Sequence, residues 1–275
     1  MIPKTAHFVF GLRPQHEPFH LLHYLAIESC RQVVQPQEIK LHLHELPYGI
    51  YWDLVRPLVT VERVEPVADL GASGPGLDAY RYAHHADVIR LDVLLRDGGL
   101  YADIDTLFTR PVPEAYWEAP AVIGREAPVQ YPDRPGPEPS MTNALLMAEP
   151  GSAFVATWRE QIIDAMDGTW SGHSCRLGTR LAGERPDTVL VAPAARFSPF
   201  AHTPEGLAAL LTEPMVPGTL EETSSVHLMA HLWWDRDRRD FSRYSAHDAT
   251  EQALRHGTTP IARLAQPHLP HHGLF

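Results

Sequence analysis

Asp103 and Asp105 stand two residues apart in the stretch Tyr101-Ala102-Asp103-Ile104-Asp105, directly after Gly98-Gly99-Leu100. Strand side chains alternate, so i and i+2 share a face. The spacing therefore predicts two carboxylates pointing the same way from the end of a short apolar strand, Leu100 to Asp105. Two such charges repel unless a cation or hydrogen-bond donors lie between them. Hard divalent ions such as Mg²⁺ or Mn²⁺ take oxygen ligands and bridge carboxylates to phosphate oxygens. The chemistry to expect is a metal holding a diphosphate. The same spacing also occurs in solvated turns and helix caps, so the flanking residues decide. Upstream, Asp87 and Arg90 are three apart and share a helix face. Alone, that pair reads as a surface ion pair of little worth.

The elements that must position these groups follow from periodicity. Val88, Leu91 and Leu95 recur at i, i+3 and i+7, the apolar stripe of a helix, and Gly98 ends it where the chain needs positive φ. Before it, Ala6 to Phe10 reads as a buried strand and Phe19 to Arg31 as a helix. Ile39 to His44 alternates like a strand, and Val59 to Val64 is a further short one. Strands alternating with helices point to an α/β fold with a mostly parallel sheet. Ligands of such sheets bind beyond the carboxyl ends of the strands, so Phe10-Gly11 and the Asp103/Asp105 pair are expected on one crevice. Gly71 to Gly76 reads as a connector without the Lys-Ser/Thr ending of a phosphate-binding loop. Residues 125–140 hold too many prolines for a helix or a central strand and read as a surface loop or an acceptor-side flap. Phe154 to Met166 reads as an amphipathic helix.

The combination Asp87-Val-Ile-Arg90 followed by Asp97-Gly-Gly-Leu-Tyr-Ala-Asp-Ile-Asp105 resembles the DXD-containing sugar transferases. These are family 32 of the glycosyltransferases and their relatives, the glucosylating domains of the large clostridial toxins. The opening Ile2-Pro3-Lys4-Thr5-Ala6-His7-Phe8-Val9-Phe10 is similar to that family's first strand, with Phe10 where Trp is usual. The resemblance implies a GT-A fold, Rossmann-like with a mostly parallel central sheet flanked by helices. It implies one catalytic domain over 1–275, with a nucleotide-sugar half at 1–124, an acceptor-side half at 125–240 and a tail at 241–275. It implies catalytic roles for Asp103, Asp105 and Arg90. Donor contacts would come from Phe8 and Phe10 in the first strand, Asp87, Arg90, Tyr101 and Asp103 in the central motif, and Asn143 and Trp233 beyond it. Asp105, Asp103 and His227 would hold Mn²⁺ or Mg²⁺. His227 and Trp233 match the family's spacing of histidine and Ser-Trp, although Leu232 stands where serine is expected. Residues 168–175 depart from the family's Thr-Gly-Pro, which leaves His173 and Ser174 without an assigned role.

The reaction so implied is transfer of a sugar, with retention, from a nucleotide sugar, UDP-linked by preference, to an acceptor that no motif identifies. A saccharide, a protein side chain and a small molecule all remain open. A nucleotidyltransferase would use the same aspartates but needs a basic Gly-rich loop, of which Gly11-Leu-Arg-Pro-Gln-His is a poor version. A haloacid-dehalogenase-like phosphatase needs Asp-x-Asp after the first strand and a later lysine, and only Lys4 and Lys40 exist. A non-catalytic sugar-binding relic has no need of Asp87, Arg90, Asp103 and Asp105 together.

Composition agrees with an enzyme. With 44% hydrophobic residues the 275-residue chain buries a sizeable core. A net charge of −11 argues against a nucleic-acid partner. No apolar run is long enough for a membrane span and no leader pattern opens the chain. Cys30 and Cys175 lack metal-ligand spacing and read as free thiols of a reducing compartment. The expectation is a cytoplasmic protein with room for peripheral work at a membrane face. His268, His271 and His272 read as solvated or packed surface.

Overall fold

The computed structural model describes residues 1–65, 67, 70, 81–130, 134–234 and 243–271. The element order is β1 (Thr5–Phe10), α1 (Leu21–Ser29), β2 (Glu38–Leu43), α2 (Ile50–Val55), β3 (Thr60–Arg63), α3 (Arg81–Asp97), β4 (Gly99–Ala102) and β5 (Thr106–Phe108). Then follow α4 (Glu114–Glu118), β6 (Ala121–Val129), β7 (Glu138–Ala148), α5 (Ala153–Gln161), α6 (Leu177–Glu184) and β8 (Leu190–Ala192). The chain closes with α7 (Ala194–Phe197), α8 (Pro204–Leu211), β9 (Ser225–His227), α9 (Glu251–His256) and α10 (Pro260–Ala265).

Seven strands form one sheet in the order β3-β2-β1-β4-β7-β6-β8, and β5 with β9 forms a second, two-stranded sheet. The pairs β1–β2, β1–β4, β2–β3 and β6–β8 are parallel, and β7 alone runs against its neighbours. The expected mostly parallel sheet is present, flanked by helices on both faces. Alternation divides the side chains: Ala6, Phe8, Leu100, Ala102, Leu145 and Met147 pack with α1, α2, α8 and α10. Val9, Tyr101, Leu146 and Ala148 pack with α3, α5 and α6. Burial on both faces explains why these strands read as continuous apolar runs.

The link from α3 to β4 sets the register of the motif. Gly98 (φ 65°) bonds Leu94 O through its N–H, and Gly99 (φ 109°) lies so close to Thr5 O that a Cβ would meet it at 2.5 Å. Both positions demand glycine, one by handedness and one by close approach to β1.

Several expectations are corrected. The strand ends at Ala102, and Asp103-Ile104-Asp105 is a turn closed by Thr106 N–H donating to Asp103 O at 2.9 Å. The helix read from Phe19 starts at Leu21 and continues as a π-turn over Cys30–Val34. The helix read from Phe154 to Met166 stops at Gln161. The stretch 125–140 joins two strands: β6 runs on to Val129 and β7 begins at Glu138. Pro128 is tolerated because β8 pairs only with residues 122–124 of β6 and the register shifts between Glu126 and Val129. The boundary drawn between 124 and 125 therefore falls inside β6, and both halves share one sheet. The segment read as a tail carries α9 and α10, and Ile261, Ala262 and Ala265 are core residues. His268 is buried, with Nδ1 2.8 Å from Gln32 Oε1. The connector at 71–76, together with 131–133 and His272, lies outside the described residues. Among the described residues no helix is long and apolar enough to cross a membrane.

Candidate active site

A cleft of about 800 Å³ opens beyond the carboxyl ends of β1, β4 and β6. Phe10, Asp87, Arg90, Tyr101, Asp103, Asp105, Asn143 and His227 line it, so it gathers most of the residues singled out from the sequence. The turn after β4 drops both aspartates into this cleft. The small β5–β9 sheet, which pairs Thr106 with His227, brings the histidine beside them.

Asp87 and Arg90 form a buried pair, not a surface one. They are 7% and 4% exposed, with Arg90 Nη2 2.8 Å from Asp87 Oδ1. Asp87 also accepts from Asn143 Nδ2 at 2.7 Å and lies 2.9 Å from His173 Nε2. Arg90 donates to the carbonyl of Asn143, stands 3.2 Å from Asp103 Oδ1 and rests 4.6 Å over the Tyr101 ring. Burial opposes the charge on Asp87, but Arg90 and His173 outweigh it and keep its carboxyl below the ordinary range. Tyr101 completes the group by donating its hydroxyl to Asp103 Oδ1 at 2.7 Å.

The second group is Asp103, Asp105 and His227, each offering one ligand atom within 4.8 Å of the others. Asp105 Oδ2 accepts the Ala230 N–H at 2.8 Å, and Oδ1 lies 3.3 Å from His227 Nε2. That N–H is aimed by Met229, which is buried in the left-handed region at φ 56°, a conformation rare outside glycine and concentrated near functional sites. Burial raises Asp103 despite the charges of Arg90 and His227. Burial would raise Asp105 too, but the charge and hydrogen bond of His227 hold it low. Burial would lower His227, yet the charge and hydrogen bond of Asp105 and the charge of Asp103 lift it to about 9. Two carboxylate oxygens and one imidazole nitrogen in an acidic recess fit a hard or borderline divalent ion, Mn²⁺ or Mg²⁺.

Two expected donor residues are placed elsewhere. Phe8 is fully buried in the core on the α1 face, one alternation deeper than Phe10 and below the rim. Trp233 is also fully buried, and its indole N–H donates to Leu228 O at 2.7 Å. Trp234 takes the place at the cleft, stacked on His23 with centroids 5.0 Å apart and planes 5° from parallel. Sequence reasoning also missed His173, which orients Asp87, and Glu126 and His202, which line the cleft. Trp170 lines it as well and stacks on His231 at 5.0 Å. Only the place of Trp170 and His173 in the stretch 168–175, which aligns with the Thr-Gly-Pro region of the resembling family, gave any hint of these.

Comparison with known proteins defines the class. Residues 65–126 match the family described as glycosyltransferase sugar-binding region containing DXD motif. Over 214 residues the chain is 32% identical to Glucan organizing enzyme 1 of Cryptococcus neoformans var. grubii, covering 74% of this chain. It spans 56% of that relative's length. Among solved structures, an active-site mutant of LgtC covers 90% of this chain and 95% of its own, at 15% identity and a TM-score of 0.52. PaToxG glycosyltransferase covers 67% of this chain and 70% of its own, at 14% identity and a TM-score of 0.43. The fold is the GT-A fold of the glycosyltransferases. Within residues 65–126, the stretch that matches that sugar-binding family, Asp103 and Asp105 are the two acidic residues in DXD spacing.

Proposed function

We propose that this chain is a divalent-metal-dependent, retaining glycosyltransferase whose donor is a nucleotide sugar, a UDP-sugar first among them. The observation that carries the reading is the convergence of Asp103, Asp105 and His227 within 4.8 Å in a cleft at the carboxyl end of β4. These three side chains would hold Mn²⁺ or Mg²⁺. When bound, such an ion supplies Lewis acidity to a leaving diphosphate.

The remaining work belongs to the chain. Arg90 and Tyr101 hold Asp103 Oδ1, which turns the other oxygen toward the metal position. Phe10 and Trp234 offer ring faces for a nucleobase. Asp87 and Asn143, tied to each other, form the wall against which the donor sugar would lie. Retention follows the family resemblance. A front-face route, in which the leaving phosphate takes the acceptor proton, needs no carboxylate nucleophile. The fungal relative is named for organizing glucan, which favours a saccharide among the acceptors.

The test is UDP release from a panel of UDP-sugars with and without Mn²⁺, for the wild type and Asp105→Asn. Metal-dependent turnover of one donor, lost in the variant, is the expected result. No binding or turnover of any UDP-sugar, with or without metal, ends the UDP assignment. GDP- and dTDP-sugars then decide whether the transferase reading stands.

A further inference from the structure

Among the described residues, the cleft holds one buried carboxylate that the metal and donor groups leave unused. Glu126 lies near the carboxyl end of β6 and is 8% exposed. Ser140, its register partner on β7, donates its hydroxyl to Glu126 Oε1. The other oxygen, Oε2, faces His202 Nδ1 at 3.5 Å, beyond a good hydrogen bond. Among the described residues no lysine or arginine pairs with Glu126. His202 Nδ1 is buried without a hydrogen-bond partner, and the His202 ring lies 6.3 Å from that of His227. A buried carboxylate beside a half-buried imidazole whose enclosed Nδ1 lacks a partner is costly at a cleft wall unless a ligand completes the pair.

Strand order says which ligand part reaches them. Along the sheet β1, β4, β7 and β6 are successive neighbours. Phe10 ends β1, the two aspartates follow β4, and Glu126 stands near the end of β6. Neighbouring strands are about 4.8 Å apart, so Glu126 lies roughly 10 Å sideways from the metal carboxylates, on the side away from Phe10. With the base at β1 and the diphosphate at β4, the group facing β6 is the one beyond the donor's anomeric carbon.

Resting on the transferase reading above, we infer that Glu126 and His202 form the acceptor subsite and recognise neighbouring hydroxyls of a saccharide. Nδ1–H directed at Glu126 Oε2 leaves the His202 Nε2 lone pair as a second acceptor beside the carboxylate. Two acceptors side by side suit two O–H donors of a vicinal diol. They do not suit a phosphate or a carboxylate, which Glu126 repels.

The experiment compares wild type, Glu126→Gln and His202→Gln in two assays. The first is Mn²⁺-dependent UDP release with water as the only acceptor. The second is its stimulation by a panel of methyl hexosides and of Ser/Thr peptides. In both variants, UDP release into water stays within about threefold of wild type with donor KM unchanged, while hexoside kcat/KM falls about tenfold or more, through KM. Retained water turnover also shows that the variants fold, and each variant stands for the other should one fail to. Loss of water turnover together with transfer overturns the inference and makes Glu126 a donor-side or nucleophilic residue. Undiminished hexoside stimulation in both variants overturns it, as does a wild type stimulated by peptides alone or by nothing in the panel. A wild type that releases no UDP under any condition instead ends the transferase reading on which the inference rests.

Discussion

The Asp87–Arg90 corner and the Asp105–His227 corner share one cleft and differ in how their charges are satisfied. Asp87 is met by three side chains, and Arg90 by two carboxylates, two carbonyls and a tyrosine face. At the other corner Asp105 has one backbone donor and a histidine at 3.3 Å, and His227 Nδ1 is buried without a partner. The first corner is closed on itself; the second would be completed by the divalent ion proposed for it. Asp103 belongs to both, since Oδ1 is held by Arg90 and Tyr101 while Oδ2 lies 3.9 Å from His227 Nε2. The closed corner thus serves as the anchor of the open one.

The contrast breaks most sharply at Asp105. Asp105→Asn keeps an oxygen for the Ala230 N–H but removes a charge from the open corner. Turnover of the donor should fall about 10³-fold, the scale of losing a charge-stabilising group, while the melting temperature stays close to wild type. A variant retaining turnover within tenfold would show that the open corner is not the seat of catalysis.

At the closed corner the order of effects reverses. Arg90→Ala strands the buried carboxylate of Asp87 and takes a partner from the half-buried Asp103, at a cost of roughly 3–5 kcal/mol. At about 2–4 °C per kcal/mol for a chain of this size, the melting temperature falls by roughly 6–20 °C. The folded remainder should bind Mn²⁺ about 10–100-fold more weakly, because Asp103 has lost its orienting partner. Thermal melts and Mn²⁺ titration read the two effects separately. An unchanged melt would mean the corner is not closed.

The anchor was legible in the sequence and the acceptor wall was not, for a physical reason. Asp87, Arg90, Asp103 and Asp105 lie on a helix and the turn after the next strand, where local spacing dictates which side chains meet. Glu126, His202 and Trp234 reach the cleft through strand pairing and an irregular segment, so no local period announces them. The parallel sheet was readable from alternation, but alternation could not tell how deep Phe8 lies beneath Phe10. Trp233 and Trp234 are the clearest case. Spacing favours Trp233, and the left-handed turn at Met229 swings it into the core and sends Trp234 to the cleft. Trp233→Ala should cost about 3–5 kcal/mol of stability with donor KM little changed. Trp234→Ala should raise donor KM about tenfold with little change in the melt. Interchanged phenotypes would restore the spacing-based assignment.

A third polar cluster extends the comparison away from the cleft. On the α3 face of the sheet, His7 Nε2 lies 2.8 Å from Gly98 O and His7 Nδ1 lies 3.0 Å from His42 Nε2. Donation from His7 to the carbonyl leaves His7 Nδ1 to accept from His42, so His42 Nδ1 keeps its lone pair, without a partner. Burial lowers both rings, His42 to about 4, although Glu62 stands 3.4 Å away. A lowered histidine favours the neutral folded state. Its contribution is complete above about pH 6.5 and is lost as the pH falls toward 4. At pH 5, some 1.5 units below the unfolded value, His42 costs on the order of 2 kcal/mol. Melting temperatures between pH 7.5 and 5 should therefore fall more steeply for wild type than for His42→Gln, whose amide still donates to His7. Superimposed profiles would mean that the Glu62 carboxylate outweighs burial and charges His42 in the folded state. The cluster would then belong with the open corner at His227, where carboxylates hold the proton, and not with the closed one.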